Sequence, residues 1–331
     1  MVIESELEML LRQVREHAGI GLKQDISQVS RELDPLPSGW HPNGDDTAAI
    51  PMEGGWQLLA IEGMQGRLVR EQPWFAGWCA VMVNCSDIAA MGGRPVAVVD
   101  ALWADIASAP EAAAEVVKGM RDACRVFGLS LVGGHTNLRA ATPSLAVSVL
   151  GQAKALLSSF AAEPGQSLVM AIDLRGNFTG PGNWNAATSA PPERLRGDLA
   201  LLPQIAENGL AIACKDISQA GVLGTLLMML ESSAVGAHVH LPNIPKAAGI
   251  DWQTWLTAFP SFGYLLTCSR DQEQALLDVF HQRNIAAAVI GDIRSGHSLT
   301  VTDQRQTSEF YDLKQGLTGF RADESRRERY A

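Results

Sequence analysis

The feature that most constrains this chain is the apolar stretch that ends in Asn84-Cys85-Ser86-Asp87-Ile88-Ala89-Ala90-Met91-Gly92-Gly93-Arg94-Pro95. Trp74, Trp78, Val81, Met82, Cys85, Ile88 and Ala89 recur at helical spacing, and the glycine pair followed by proline stops the helix. Asn84 and Asp87 stand three apart and so share one face near its end. An amide beside a carboxylate can coordinate a hard cation or orient a ligand that carries one. A solvated helix face is the plainer reading of Asp87 taken alone.

The 331 residues are 47% hydrophobic and 19% charged, enough to bury large cores, and the length suggests two domains. A formal net charge of −10 offers no basic field for a phosphate backbone and argues against nucleic acid as the main partner. An anionic small-molecule substrate would need a local cation. No apolar run of about 18 residues occurs, and the first residues lack the basic and apolar regions of a signal peptide. A cytoplasmic protein without membrane contact is expected. The five cysteines (Cys79, Cys85, Cys124, Cys214, Cys268) form no CxxC pair, which indicates neither a disulfide framework nor a zinc knuckle.

Along the chain, 1–40 reads as a short amphipathic helix (Leu7, Leu10, Leu11, Val14) and a glycine-containing loop with Lys23, a lysine that could reach a phosphate or merely solubilise the surface. A first domain, 41–157, opens with Gly44-Asp45-Asp46-Thr47, two adjacent carboxylates that repel unless a cation neutralises them; an Asx turn entering a strand is the alternative. Strands at 56–61, 96–103 and 145–150, and a helix at 112–127, accompany the apolar helix. A strand at 129–132 runs into Gly133-Gly134-His135-Thr136, where glycines let backbone amides approach a phosphate. The alternation predicts helices on one face of a mixed sheet.

A second domain, 164–305, repeats the alternation. Its Gly- and Asn-rich stretch 173–183 reads as a loop in which Arg175 is either an anion ligand or a surface residue. A helix is predicted over 194–208 and a strand over 210–214. The link from Lys215 to Gly221 carries Asp216 and Ser218, which could cap the following helix or face a metal-bound phosphate. Residues 306–331 read as a tail, charged and disordered from Arg321.

Gly44-Asp45-Asp46-Thr47-Ala48-Ala49, Asn84-x-Ser86-Asp87-x-Ala89-Ala90-Met91-Gly92-Gly93-Arg94-Pro95, Gly133-Gly134-His135-Thr136, Asp216-x-Ser218-x-x-Gly221 and Gly291-Asp292-Ile293 occur in the order seen in the aminoimidazole ribonucleotide (AIR) synthase superfamily, which the chain resembles along nearly its whole length. The helix and the GGHT motif look like selenophosphate synthetase, and the GDD motif also like thiamine-monophosphate kinase. The resemblance implies a two-domain α/β (α+β) fold, an N-terminal mixed sheet that pairs with its copy into a dimeric β-barrel, and ATP with Mg²⁺ between the domains. It further implies that Asp45, Asp46, Asp87 and Asp216 hold magnesium, with Asn84, Gly133, Gly134, His135 and Thr136 near the phosphates.

Ile20-Gly21-Leu22-Lys23 keeps the lysine of the selenophosphate synthetase pattern without its Cys nucleophile, Glu62 stands where Asp is usual, and no terminal cysteine is present. Two classes follow: an ATP-dependent kinase or synthetase activating an oxygen of a small molecule, with Lys23 and His135 as its catalytic candidates, or a nucleotide-binding protein without turnover.

Overall fold

The computed structural model describes residues 5–105, 111–180 and 182–321. After the helices α1 (Glu6–Arg15), α2 (Ala18–Asp25) and α3 (Ser27–Ser30), the first domain runs β1 (Ala48–Met52), β2 (Gly55–Met64), α4 (Gly66–Glu71), α5 (Pro73–Ala90), β3 (Arg94–Asp105), α6 (Ala112–Phe127), β4 (Ser130–Asn137) and β5 (Arg139–Ala153). Its open sheet has the order β1-β2-β5-β3-β4, antiparallel except for the β3–β4 pair that α6 connects. No closed barrel is present among the described residues.

α5 is buried on almost every side from Ala76 to Ala90, as an all-round apolar helix must be. One flank lies on the sheet among Leu58, Val98 and Val147, and its end, Ala89 and Ala90, packs into the second domain with Val169 and Ala171. It crosses α6 at a pair of glycines: a methyl on Gly77 would strike the Val116 carbonyl, and one on Gly119 the Trp74 carbonyl. The helices leave the other face of the sheet uncovered, where Leu59, Ile61 and Val99 are 44%, 69% and 42% exposed.

The second domain contains β6 (Ser167–Ile172), β7 (Asn177–Phe178), β8 (Asn183–Asn185), α7 (Pro192–Leu199), α8 (Leu201–Glu207), β9 (Ala213–Asp216), α9 (Gly221–Ser233), β10 (Gly236–His240), α10 (Trp252–Leu256), β11 (Phe259–Pro260), β12 (Gly263–Cys268), α11 (Glu273–His281), β13 (Ala286–Arg294), β14 (Ser298–Thr302) and β15 (Thr307–Asp312). Seven of its strands form a sheet ordered β15-β14-β10-β13-β6-β12-β9, and β11, β8 and β7 a small second sheet.

Several boundaries differ from expectation. The first helix is not a separate segment: Leu7, Leu11, Val14 and Ile20 enter the second domain's core. Residues 306–321 are not a tail, because β15 completes the sheet and Phe310, Leu313 and Leu317 are buried; the expected disorder of 322–331 lies outside the described residues. The helix over 194–208 is two helices, since Pro203 cannot donate to residue 199. Gly133 to Thr136 continue β4, and the Gly-rich stretch holds β7 and β8, ordered by Trp184 between the rings of Phe178 and Trp255. The five cysteines are free and none is paired in a disulfide.

The α5–α6 crossing yields a stability test. Gly119→Val should destabilise the chain by roughly 2–4 kcal/mol in urea unfolding, because the added carbons meet backbone that cannot retreat. An unchanged midpoint and slope would show that the helices can separate freely.

Candidate metal centre

Three segments distant in sequence bring carboxylates together. The turn after Gly44 carries Asp46, the last turn of α5 carries Asp87, and β9 ends on Asp216. Each offers an oxygen within 4.8 Å of the others, with Asp87 and Asp216 buried. Glu62 of β2 faces the same group. Sheet register explains its aim: Glu62 pairs Val147, Val147 pairs Asp100, and Asp100 pairs Gly134, so the four form one row. Directly paired residues share a side of the sheet, and Val147 is packed beneath α5. Asn84 ties the helix to that row, its amide nitrogen donating to the Val147 carbonyl at 3.0 Å and to the Ala80 carbonyl at 2.7 Å. The Asn84 Oδ1 is buried without a hydrogen-bond partner.

The electrostatics are those of crowded carboxylates. Burial and then repulsion from Asp216, Glu62 and Asp46 push Asp87 well above the usual carboxylate range. Burial and Asp46 push Asp216 up to about 7. Burial raises Asp46 and Glu62 as well, although the Lys215 and Lys23 ammonium groups respectively oppose it. Buried Lys215 donates to Asp46 and lies 4.0 Å from Asp45; burial disfavours its charge, but the two aspartates override that and raise its pKa. Ser86 donates to Asp216 and lies 2.9 Å from the Tyr264 hydroxyl, which links α5 to β12. The all-oxygen donor set suits a hard divalent cation, which would relieve the repulsion.

Not every expected residue joins this group. Asp45 turns away: its Oδ2 accepts from the Ser158 hydroxyl and the Ser159 amide at 3.0 Å and lies 2.9 Å from His41 Nε2, while its Oδ1 accepts from the Asp46 amide. Burial would raise its pKa, but the His41 contact, Lys215 and Ser159 bring it down to about 2. Asp45 therefore pins the turn to the interdomain segment, and Asp46 is the carboxylate of the pair that joins the cluster. Arg175 is likewise committed, pairing with Asp173 at 2.7 Å and Asp198 at 3.0 Å, so it is not an open anion ligand.

Ser218 does not cap α9; its amide donates to Thr225 Oγ1 at 3.0 Å and its Oγ is buried without a partner. Lys23, on α2, lies beside Glu62 at the rim. Gly133, Gly134, His135 and Thr136 are exposed on the edge strand β4, and neither glycine has the left-handed backbone of a nest. The Asp100 carboxylate occupies the space that a Gly134 side chain would need. Sequence reasoning missed Lys215, whose signal was a lysine at the end of the apolar run Leu210 to Cys214, and Tyr264, which carried none.

With this geometry in view, comparison with known proteins identifies the class. Residues 44–153 match the AIR synthase related protein, N-terminal domain, and residues 179–304 its C-terminal domain, so the chain belongs to the AIR synthase related family. It is similar to an uncharacterised protein of Synechocystis sp., 42% identical over 95% of this chain and 98% of that one. It is also similar to selenide, water dikinase of Escherichia coli (strain K12), 27% identical over 79% of this chain and 82% of that one. Among solved structures, Thermotoga maritima PurL complexed with ATP superposes with a TM-score of 0.73 over 96% of this chain at 20% identity, a likeness of fold. This chain spans about half of the PurL chain (53%).

The raised carboxylates set a pH dependence. Asp216 keeps its proton up to about pH 7 when folded, against an ordinary value of 3.8, so folding takes up protons between those limits. Metal-free stability is greatest near the lower limit and declines as pH rises through 7. The metal-free melting temperature should therefore fall by roughly 5 °C or more from pH 5 to pH 8, and Asp216→Asn should reduce that slope, with the raised Asp87, Asp46 and Glu62 carrying the remainder. A slope unchanged by the substitution would remove Asp216 from the repulsive cluster.

Proposed function

We propose that the chain is an ATP- and Mg²⁺-dependent kinase or synthetase that activates an oxygen of a small-molecule substrate. The observation that carries this reading is the convergence of Asp46, Asp87 and Asp216 in one buried group. These three would hold magnesium, which, with ATP bound, supplies charge neutralisation of the triphosphate for in-line transfer. Glu62 lies at the rim as a further oxygen donor, and Lys23 beside it is a cation available to a phosphate. Lys215 stays paired to Asp46 and offsets part of the negative charge, holding Asp46 in place when no metal is bound. His135 and the backbone of Gly133, Gly134 and Thr136 complete the phosphate-facing set in this reading. β4 lies three strand spacings from β2, about 14 Å, so a ligand touching both edges of the site is extended, as a nucleotide is.

ATP consumption in a small-metabolite panel tests the proposal. Wild type should hydrolyse or transfer from ATP only with Mg²⁺, and Asp87→Asn should weaken Mg²⁺-dependent ATP binding by about 1–3 kcal/mol while leaving the metal-free fold as stable or more so. A destabilised metal-free Asp87→Asn protein with unchanged nucleotide affinity would return Asp87 to a structural role. Mg²⁺-dependent ATP binding without turnover on any substrate would favour the non-catalytic alternative.

We further infer that the protein is a homodimer through the uncovered face of the first sheet. β1 edges the sheet and β2 lies inside it, and the face bearing Leu59, Ile61 and Val99 is what a second copy would cover. Light scattering should give twice the 35.5 kDa chain mass, and Ile61→Glu should halve it. A wild-type mass near 35.5 kDa at micromolar concentration would overturn the inference.

A further inference from the structure

Glu231, near the end of α9, is a fully buried carboxylate that faces none of the acidic groups of the metal centre. It is satisfied by a segment of chain far away in sequence. Its Oε1 accepts from the Leu317 amide at 2.8 Å and the Gly319 amide at 3.3 Å, and its Oε2 from the amide and hydroxyl of Thr318, both at 2.7 Å. Arg321 lies 3.9 Å from the same carboxylate. A carboxylate receiving this many donors holds its segment in one place, since releasing the segment would leave a buried charge bare. The Ser30 hydroxyl donates to the Thr318 carbonyl at 2.9 Å, and the Tyr311 hydroxyl to the Gly316 carbonyl at 2.8 Å, so residues 316–321 form a strap tied to three elements.

The strap ends against the metal centre. The Phe320 ring lies directly over Gly44, which has φ +105° and leads straight into Asp45-Asp46; any side chain at 44 would run into that ring. On its other side the same turn is held by the hydrogen bonds of Asp45 to Ser158 and Ser159. Gly44 to Asp46 is thus gripped from both sides, by the interdomain segment and by the strap. α9, which anchors the strap through Glu231, begins five residues after Asp216. One fixed piece of chain therefore relates two of the three carboxylate-bearing segments.

We propose that Phe320, anchored through Glu231, is a positioning residue for the cation site, bracing Gly44 so that the Asp46 carboxylate meets those of Asp87 and Asp216. The proposal rests on the reading of that cluster as a cation site, and the test separates the two. Mn²⁺ binding to the full-length chain, followed by electron paramagnetic resonance without nucleotide, should be saturable in wild type and weakened on the order of tenfold or more, but still measurable, in Asp87→Asn and in Asp46→Asn. Phe320→Ala should weaken it on the order of tenfold, as loss of a supporting contact around a metal site does, with Phe320→Leu restoring most of the affinity. In an Asp46→Asn background, Phe320→Ala should cause no further loss, because the residue it positions is already disabled.

No saturable Mn²⁺ binding by wild type would overturn the cation site itself. Binding by wild type with the same affinity in Phe320→Ala would overturn the role of Phe320 alone. An equal additional loss in the Asp46→Asn background would also overturn it, by showing general loosening of the fold. The metal-free melting temperatures of the Phe320 variants identify any folding defect, and Phe320→Leu, which keeps an apolar group over Gly44, decides the matter if the alanine variant unfolds.

Discussion

Three carboxylates can share a buried volume only while positive charge or protons keep them company, and much of this structure is arranged around that restriction. Asp46 has Lys215, Asp87 and Asp216 are pushed towards their protonated forms, and Glu62 has Lys23 beside it. Each arrangement is a partial remedy, since burial first and mutual repulsion after it still hold these carboxylates above their usual range. A site whose own residues do not relieve their repulsion is poised to gain from a hard cation. The adjacent Asp45 shows the opposite case, with hydrogen bonds and opposite charge enough to hold it ionised far below neutrality.

Rigidity around the centre follows from α5. Because nearly all of its last four turns are buried, Asp87 cannot swing outward without unpacking the helix from both domains. Asn84 fixes the helix to the sheet at the row that carries Glu62, and the Ser86–Tyr264 contact fixes it to the second domain. Two glycines in the α5–α6 crossing allow the backbone contact that leaves no slack. The polar residues of one helix thus do different work: Asn84 and Ser86 hold, and Asp87 is free of direct protein donors among the hydrogen bonds that hold them.

Some of the site was legible from residue order alone. The Gly-Asp-Asp turn, the Asn-x-x-Asp helix end and Asp216 before Gly221 were each plain as acidic groups at turns and element ends, and Asp46, Asp87 and Asp216 do converge. Which of Asp45 and Asp46 would face the centre was not legible, since adjacent residues are equivalent until Ser158 and Ser159, more than a hundred positions on, claim one of them. Arg175 looked open in a Gly-rich stretch for the same reason; Asp173 was near in sequence, but Asp198 came only with the packing of α7.

By itself the sequence determined the alternation of helices and strands, the apolar helix that ends at Gly92-Gly93, and the family to which the chain belongs, because periodicity and local motifs are properties of neighbouring residues. Tertiary structure alone decided that Lys215 would sit among the aspartates, that the two ends of the described chain would join one core, and that Phe320 would lie over Gly44. Those are contacts between residues more than a hundred positions apart. Their energies depend on register and on which face each element buries, and neither is encoded in any one stretch of chain.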